Sequence, residues 1–186
     1  TLSNDGRYAF VTHNLGRFQA PTSQLQQGWM NTSAMSVIDL QTMEYGGAVL
    51  LDEADRGAAG IWDVKCTDGQ IIITHSGTHE ISIIDYNAFV QKYTGVADKS
   101  SLAYDLRFLV GLRQRIPVKG NGPRNFAVDD EYAYVPTYFS DTLNTISLKS
   151  PSESTTAALV HNRVENARDK GEKYFNDASY CFQNWQ

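Results

Sequence analysis

The sequence predicts an all-β fold, a partial β-propeller of about three four-stranded blades with helical insertions and a C-terminal helix. Three observations carry that expectation. First, one unit recurs. DGRYAFVTH (Asp5 to His13) precedes AMSVIDL (Ala34 to Leu40), DGQIIITH (Asp68 to His75) precedes EISIIDY (Glu80 to Tyr86), and DEYAYVPT (Asp130 to Thr137) precedes TLNTISL (Thr142 to Leu148). Second, the turns at Asp5, Asp68 and Asp130 are spaced 63 and 62 residues apart, and repeated strand pairs at a fixed period are the mark of a repeated sheet. Third, the ten tyrosines and eight phenylalanines, with the Ile and Val runs, suit pleated, half-buried surfaces.

The elements follow in order. The first blade spans about 1–56, with strands at Thr1 to Ser3, Arg7 to His13, Ala34 to Leu40 and Tyr45 to Leu51. Asp5-Gly6 is a hairpin signal. From His13 to Met35 is 22 residues, while His75 to Ile81 and Thr137 to Leu143 are each 6, so the first unit carries an insertion. The second blade, 60–118, has strands at Ile61 to Thr67, Gln70 to His75, Glu80 to Tyr86 and Gln114 to Val118. Between the last two, a short helical turn is expected over Ala88 to Tyr93. A longer helix is expected behind Asp98, with Leu102, Leu106 and Leu109 at helical spacing. The third blade, 120–161, has strands at Asn125 to Val128, Tyr132 to Pro136, Thr142 to Leu148 and Thr155 to Val160, and Pro136 suggests a strand end or bulge. From residue 162 the alternation stops, and a helix is expected from Val164 to Phe175.

The bulk numbers exclude several classes. A net charge of −5 gives no basic face for nucleic acid or anionic lipid. No apolar run reaches the roughly 20 residues of a membrane span. Cys66 and Cys181 make no disulfide framework, and Cys66 reads as a packing thiol. No Ser-His-Asp order, phosphate loop or zinc signature is present. No catalytic residue and no metal ligand set is therefore assigned.

Candidate binding residues come from topology. The second strand of each unit runs the same way, so its end should emerge on one face. His13, His75, His79, Trp62, Arg124 and Tyr138 are expected to cluster there, around a channel mouth. The insertion with Arg17, Phe18 and Trp29 should lie above them. Loops over a rigid scaffold are where binding residues concentrate. The alternative for His13 and His75 is that they satisfy turn backbone groups. Arg124 reads equally as a structural ion-pair partner or an anion contact. Asp39 and Asp85 recur once per unit and read as turn caps.

The unit NGPRNFAVDDEYAYVPTYFSDTLNTISL, with MSVIDL and ISIIDY, resembles the YVTN family of bacterial β-propellers. Longer stretches, VTHNLGRFQAPTSQLQQGWMNTSAMSVIDL, DLRFLVGLRQRIPVKGNGPR and GEKYFNDASYCFQNWQ, look like a subgroup fused to a c-type cytochrome of the di-haem peroxidase kind. The resemblance covers essentially the whole chain. It implies a propeller part over 1–161 and, over 162–186, a helical lead-in to a further haem domain. In that subgroup such a lead-in runs into a Cys-x-x-Cys-His haem motif, which this chain lacks, so covalent haem c is implied only for sequence beyond it. The expected role is a non-catalytic scaffold of a larger cytochrome protein, with cytochrome c peroxidase-like chemistry residing in the parent and with its own haem domain or a redox protein as partner. The implied location is periplasmic or cell-surface. Two other classes compete: a surface-layer or adhesion module, and a metal-dependent enzyme using His13 and His75.

Overall fold

A computed structural model describes residues 1–16, 30–160 and 164–185. The chain is all-β, with three separate antiparallel sheets taken in sequence order and helical insertions between them. Sheet one holds β1 (Tyr8–Gly16), β2 (Asn31–Asp39) and β3 (Glu44–Leu50). Sheet two holds β4 (Ile61–Cys66), β5 (Gln70–His75), β6 (Glu80–Asp85) and β7 (Arg113–Pro117). Sheet three holds β8 (Ala127–Val128), β9 (Tyr132–Thr137), β10 (Thr142–Ser147) and β11 (Ser154–Ala158). Each sheet is a meander in which chain neighbours pair.

Strand patterning explains the stacking. Ile71, Ile72 and Ile73 in β5 and Ile81, Ile83 and Ile84 in β6 are buried on both faces of sheet two. Strands buried on both faces read as continuous apolar runs. One face, with Ile71, Ile73 and Ile84, packs against Tyr8, Phe10, Met35 and Val37 of sheet one. The other, with Ile72, Ile81 and Ile83, packs against Ala133, Val135 and Ile146 of sheet three. Sheet two is thus the middle layer.

The insertion after β6 closes the first of these cores. Asp85 accepts from the Ala88 N–H and caps α1 (Tyr86–Thr94), which buries Tyr86, Phe89 and Tyr93. The Phe89 ring meets Phe10 edge-on at 5.9 Å and stacks on Tyr93 at 5.8 Å. Here the expected lengths are reversed: α1 is the longer helix, and the segment behind Asp98 is one short 3₁₀ helix, Lys99–Tyr104. Asp105 takes extended backbone angles, and its side chain accepts from the Arg107 N–H at 2.8 Å, a local bond that competes with helix continuation. Pro136 stays inside β9, beyond the two residues that β8 pairs with. After residue 164, Asn166 caps α2 (Ala167–Phe175), and two single 3₁₀ turns follow at Ala178–Tyr180 and Phe182–Asn184.

The expected partial β-propeller is corrected by this arrangement. The three sheets are open; they neither curl into a barrel nor join into a ring, and the first has three strands rather than four. In its place Leu2 makes a single bridge to Ala9, with Thr1 and Ser3 bonding to Phe10 and Tyr8. The repeats dictate hairpins and face-to-face packing, which are local. Closure depends on strand edges and on what lies at both ends of the stack, and no repeat unit encodes that. The YVTN propeller assignment falls with it. So does the scaffold role in a cytochrome fusion, whose premise was the propeller. The Arg17, Phe18 and Trp29 insertion and residues 161–163 lie outside the described residues.

Candidate functional site

Three of the six candidate residues meet at one spot. Trp62 opens β4, Arg124 lies in the loop entering β8, and Tyr138 follows β9. The Arg124 guanidinium carbon sits 4.4 Å from the Trp62 ring centre and 3.6 Å from that of Tyr138, with Phe139 at 5.3 Å. Stacking of this kind contributes roughly 0.5–2 kcal/mol and leaves the in-plane N–H edge of the guanidinium for anions. The backbone fixes the cluster. Thr74 Oγ1 donates to the Arg124 carbonyl at 2.8 Å, and Trp62 Nε1 donates to Asn125 Oδ1 at 3.2 Å. The Tyr138 N–H donates to the Gly122 carbonyl at 2.9 Å. Gly122 has φ +73°, and a Cβ there would fall 2.4 Å from the Phe139 ring. Trp62 and Tyr138 are each 47% exposed, so both present free ring surface.

His79 adjoins this cluster. It occupies the β5–β6 turn in the left-handed region at φ +55°, which His tolerates better than most residues. The Gly122 N–H donates to its Nδ1 at 3.1 Å, which leaves Nε2 facing Asp177 Oδ1, also at 3.1 Å. Burial opposes the charge of Asp177, but bonds from Ser179 and the His79 ring outweigh it and hold its pKa below the usual value.

The His13 and His75 rings bond to other groups, in equivalent places. His13 Nε2 bonds Ser36 Oγ at 2.7 Å, and His75 Nε2 bonds Ser82 Oγ at 2.8 Å. His75 is fully buried, its Nδ1 bonds the Ala58 carbonyl at 3.0 Å, and burial followed by Arg113 and Arg115 drives its pKa well below the usual histidine value. It is a neutral, fully bonded core histidine. β1 also runs three residues past His13, to Gly16, so His13 is not at a strand end. Among the described residues no three His, Cys, Asp or Glu side chains group as metal ligands.

Sequence reading missed an extended polar network. Arg113 and Arg115 lie on one face of β7, and the loop after β3 brings Asp52, Glu53 and Arg56 against them. Glu80, wholly buried, pairs with Arg115 and, at 2.6 Å, with Arg56. Arg113 pairs with Glu53. Asp52 accepts from the Ser33 and Ala58 N–H groups, both at 2.6 Å. Burial raises its pKa to about 6, against the pull of those bonds and the arginines. The available signal was the alternation in RQR opposite the acidic DEADR, which identifies partners only once the sheets are stacked.

Residues 177–185 seal the end of the sheets beside Arg124. The Ala178 N–H donates to Gly77 O at 3.0 Å and the Gly57 N–H to Gln183 O at 2.8 Å. Ala178 and Trp185 are buried. At the opposite end, a polar cleft of about 750 Å³ is lined by Gln70, Asp85, Arg113, Asp130 and Lys149 among others.

No protein family matches the chain, and no curated protein does. Solved structures do. Hydrazine synthase from Kuenenia stuttgartiensis superposes with a TM-score of 0.66 at 20% identity, over 85% of this chain and 44% of that one. A functionally unknown protein from Desulfotomaculum acetoxidans gives 0.54 at 12% identity, over 87% and 42%. The dihydro-heme d1 dehydrogenase NirN, in complex with DHE, gives 0.51 at 14%, over 84% and 26%. These likenesses establish a shared fold. The chain spans less than half the length of each of these structures. Among the described residues no helix is long and apolar enough to cross a membrane.

Proposed function

We propose that this chain is a binding module that engages a haem-bearing redox partner through a carboxylate at Arg124. The observation that carries this reading is the Arg124 guanidinium held against two half-exposed aromatic rings. Such a surface suits a flat ligand with acidic side groups. The rings offer stacking area, and the guanidinium edge offers a planar fork for a carboxylate. The fold-level likeness to a dehydrogenase solved with a haem-type ligand supports the choice of ligand class. A periplasmic or cell-surface location belongs to the same reading.

The test is a titration of iron mesoporphyrin and of its dimethyl ester, followed by Soret absorbance and Trp quenching. The free acid should bind at least about ten-fold tighter than the ester, since a charged hydrogen bond contributes about 1.5–3 kcal/mol. Arg124→Ala should erase that preference. Arg124→Lys should restore part of it, because lysine keeps the charge but lacks the fork. Equal affinity for acid and ester, or full preference in Arg124→Ala, would overturn the proposal.

A further inference from the structure

We infer that α2 is an internal latch whose Glu172 carboxylate holds the Arg124 site until a ligand carboxylate replaces it; this rests on Arg124 being a carboxylate site. Three observations carry it. The first is an under-filled fork. Arg124 Nη2 reaches Glu172 Oε1 at 3.5 Å, well beyond the 2.7–2.9 Å of a good charge-assisted bond. Its Nε is shut off from water with no acceptor in reach. A buried donor left unpaired is costly, so the closed arrangement leaves Arg124 poorly satisfied. A ligand carboxylate meeting Nε and Nη2 together would supply both bonds.

The second observation is how lightly α2 is held. It buries none of its own side chains, and Glu172 itself is 38% exposed. A helix without a buried face gains little from packing and is drawn from the least stable part of a structure. The third is the contrast with the next residues. Asp177 is fixed to His79, Ala178 to Gly77, and Trp185 is buried. A seated anchor therefore follows a loosely held arm, and the change falls at Asn176, the C-cap of α2. Movement at that junction would lift Glu172 from Arg124 without unseating residues 177–185. Glu172 thus acts as a competitor tethered to the site, and the ligand's apparent affinity is lowered by the fraction of time the latch is closed.

The experiment uses the whole chain with iron mesoporphyrin as the probe. Glu172→Gln keeps the shape and removes the charge, and it should tighten binding several-fold. Hydrogen exchange, read by mass spectrometry, should rise over 167–175 when the porphyrin is added and stay unchanged over 177–185. Arg124→Ala serves as the control for the underlying reading. If Arg124→Ala loses the acid preference but Glu172→Gln binds no tighter and exchange over 167–175 does not rise, the latch is wrong and the binding site stands. If Arg124→Ala keeps the preference, both fall.

Discussion

Asp52 shows how one residue carries a pH dependence for the whole stack. Its pKa is raised from 3.8 to about 6 in the folded chain, mainly by burial. The folded state therefore holds a proton that the unfolded state has released. Stability should fall as pH rises from about 4 to 6 and then level off, since the state binding more protons is favoured at low pH. Asp52→Asn should flatten that slope. It should also lose about 1–3 kcal/mol at pH 7, because the Ser33 and Ala58 N–H groups meet different carboxylate oxygens and the amide replaces one of them with an NH2 donor. Urea unfolding across pH 4 to 8 measures both effects. Glu80 makes a sharper case. It is wholly buried and neutralises Arg115, itself only 4% exposed at its side chain. Glu80→Gln should cost about 3–5 kcal/mol by leaving the buried Arg115 with only the part-exposed Glu53, 3.6 Å away, as counter-charge, read as a lower denaturation midpoint. Neither residue was legible as a site in the sequence. EISIIDY shows Glu80 only as the first residue of an alternating strand, and its arginine partners lie 24 and 35 positions away. Arg124, Trp62 and Tyr138 were legible as neighbours, because strand direction alone places the start of β4, the loop before β8 and the end of β9 together.

Among the elements, strands and the helices α1 and α2 match the sequence reading within a few residues, whereas the segment behind Asp98 does not. Strand limits follow from a two-residue alternation and from turn residues beside them, both local signals. The helix behind Asp98 was overcalled because its leucines do enter the core, Leu102 and Leu109 included, but on 3₁₀ and turn backbone. Apolar spacing reports which side chains are buried and leaves the hydrogen-bond pattern open. The C-terminal segment shows what a single glycine can decide. A Cβ at Gly57 would lie 2.4 Å from the Asn184 carbonyl oxygen, so Gly57→Ala should push residues 177–185 off the sheets. Limited proteolysis should then cut after residue 176 faster, while circular dichroism of the sheets stays unchanged. Faster cutting throughout the chain would mean that the segment is an integral part of the core instead.

At the scale of the molecule, the repeats forecast a partial propeller where three open sheets stand in layers. Sheet-to-sheet packing was encoded in plain view, because III in β5 is the pattern of a strand covered on both faces, and β9 with YAYVPT alternates as an outer layer does. The open ends of the stack carry no such signal. This layering makes the two cores separable in their response to mutation. The core between sheets one and two includes α1 and its ring contacts, so it is reinforced by elements outside the sheets. The core between sheets two and three rests on strand side chains and the loop residue Phe126. Ile81 lies in the second core and is fully buried. Ile81→Ala should destabilise by about 2–5 kcal/mol, the usual cost of a cavity at a well-packed site. Its effect should be local. Amide exchange should accelerate in β9 and β10 well before β1 and β2, because among the described residues sheet three packs into that core alone. Phe89→Ala, on the other side, should loosen β1, β2 and α1 together and leave β9 and β10 protected. Equal acceleration in all three sheets for both variants would show one cooperative unit, in which the middle sheet transmits a loss on either face to the other.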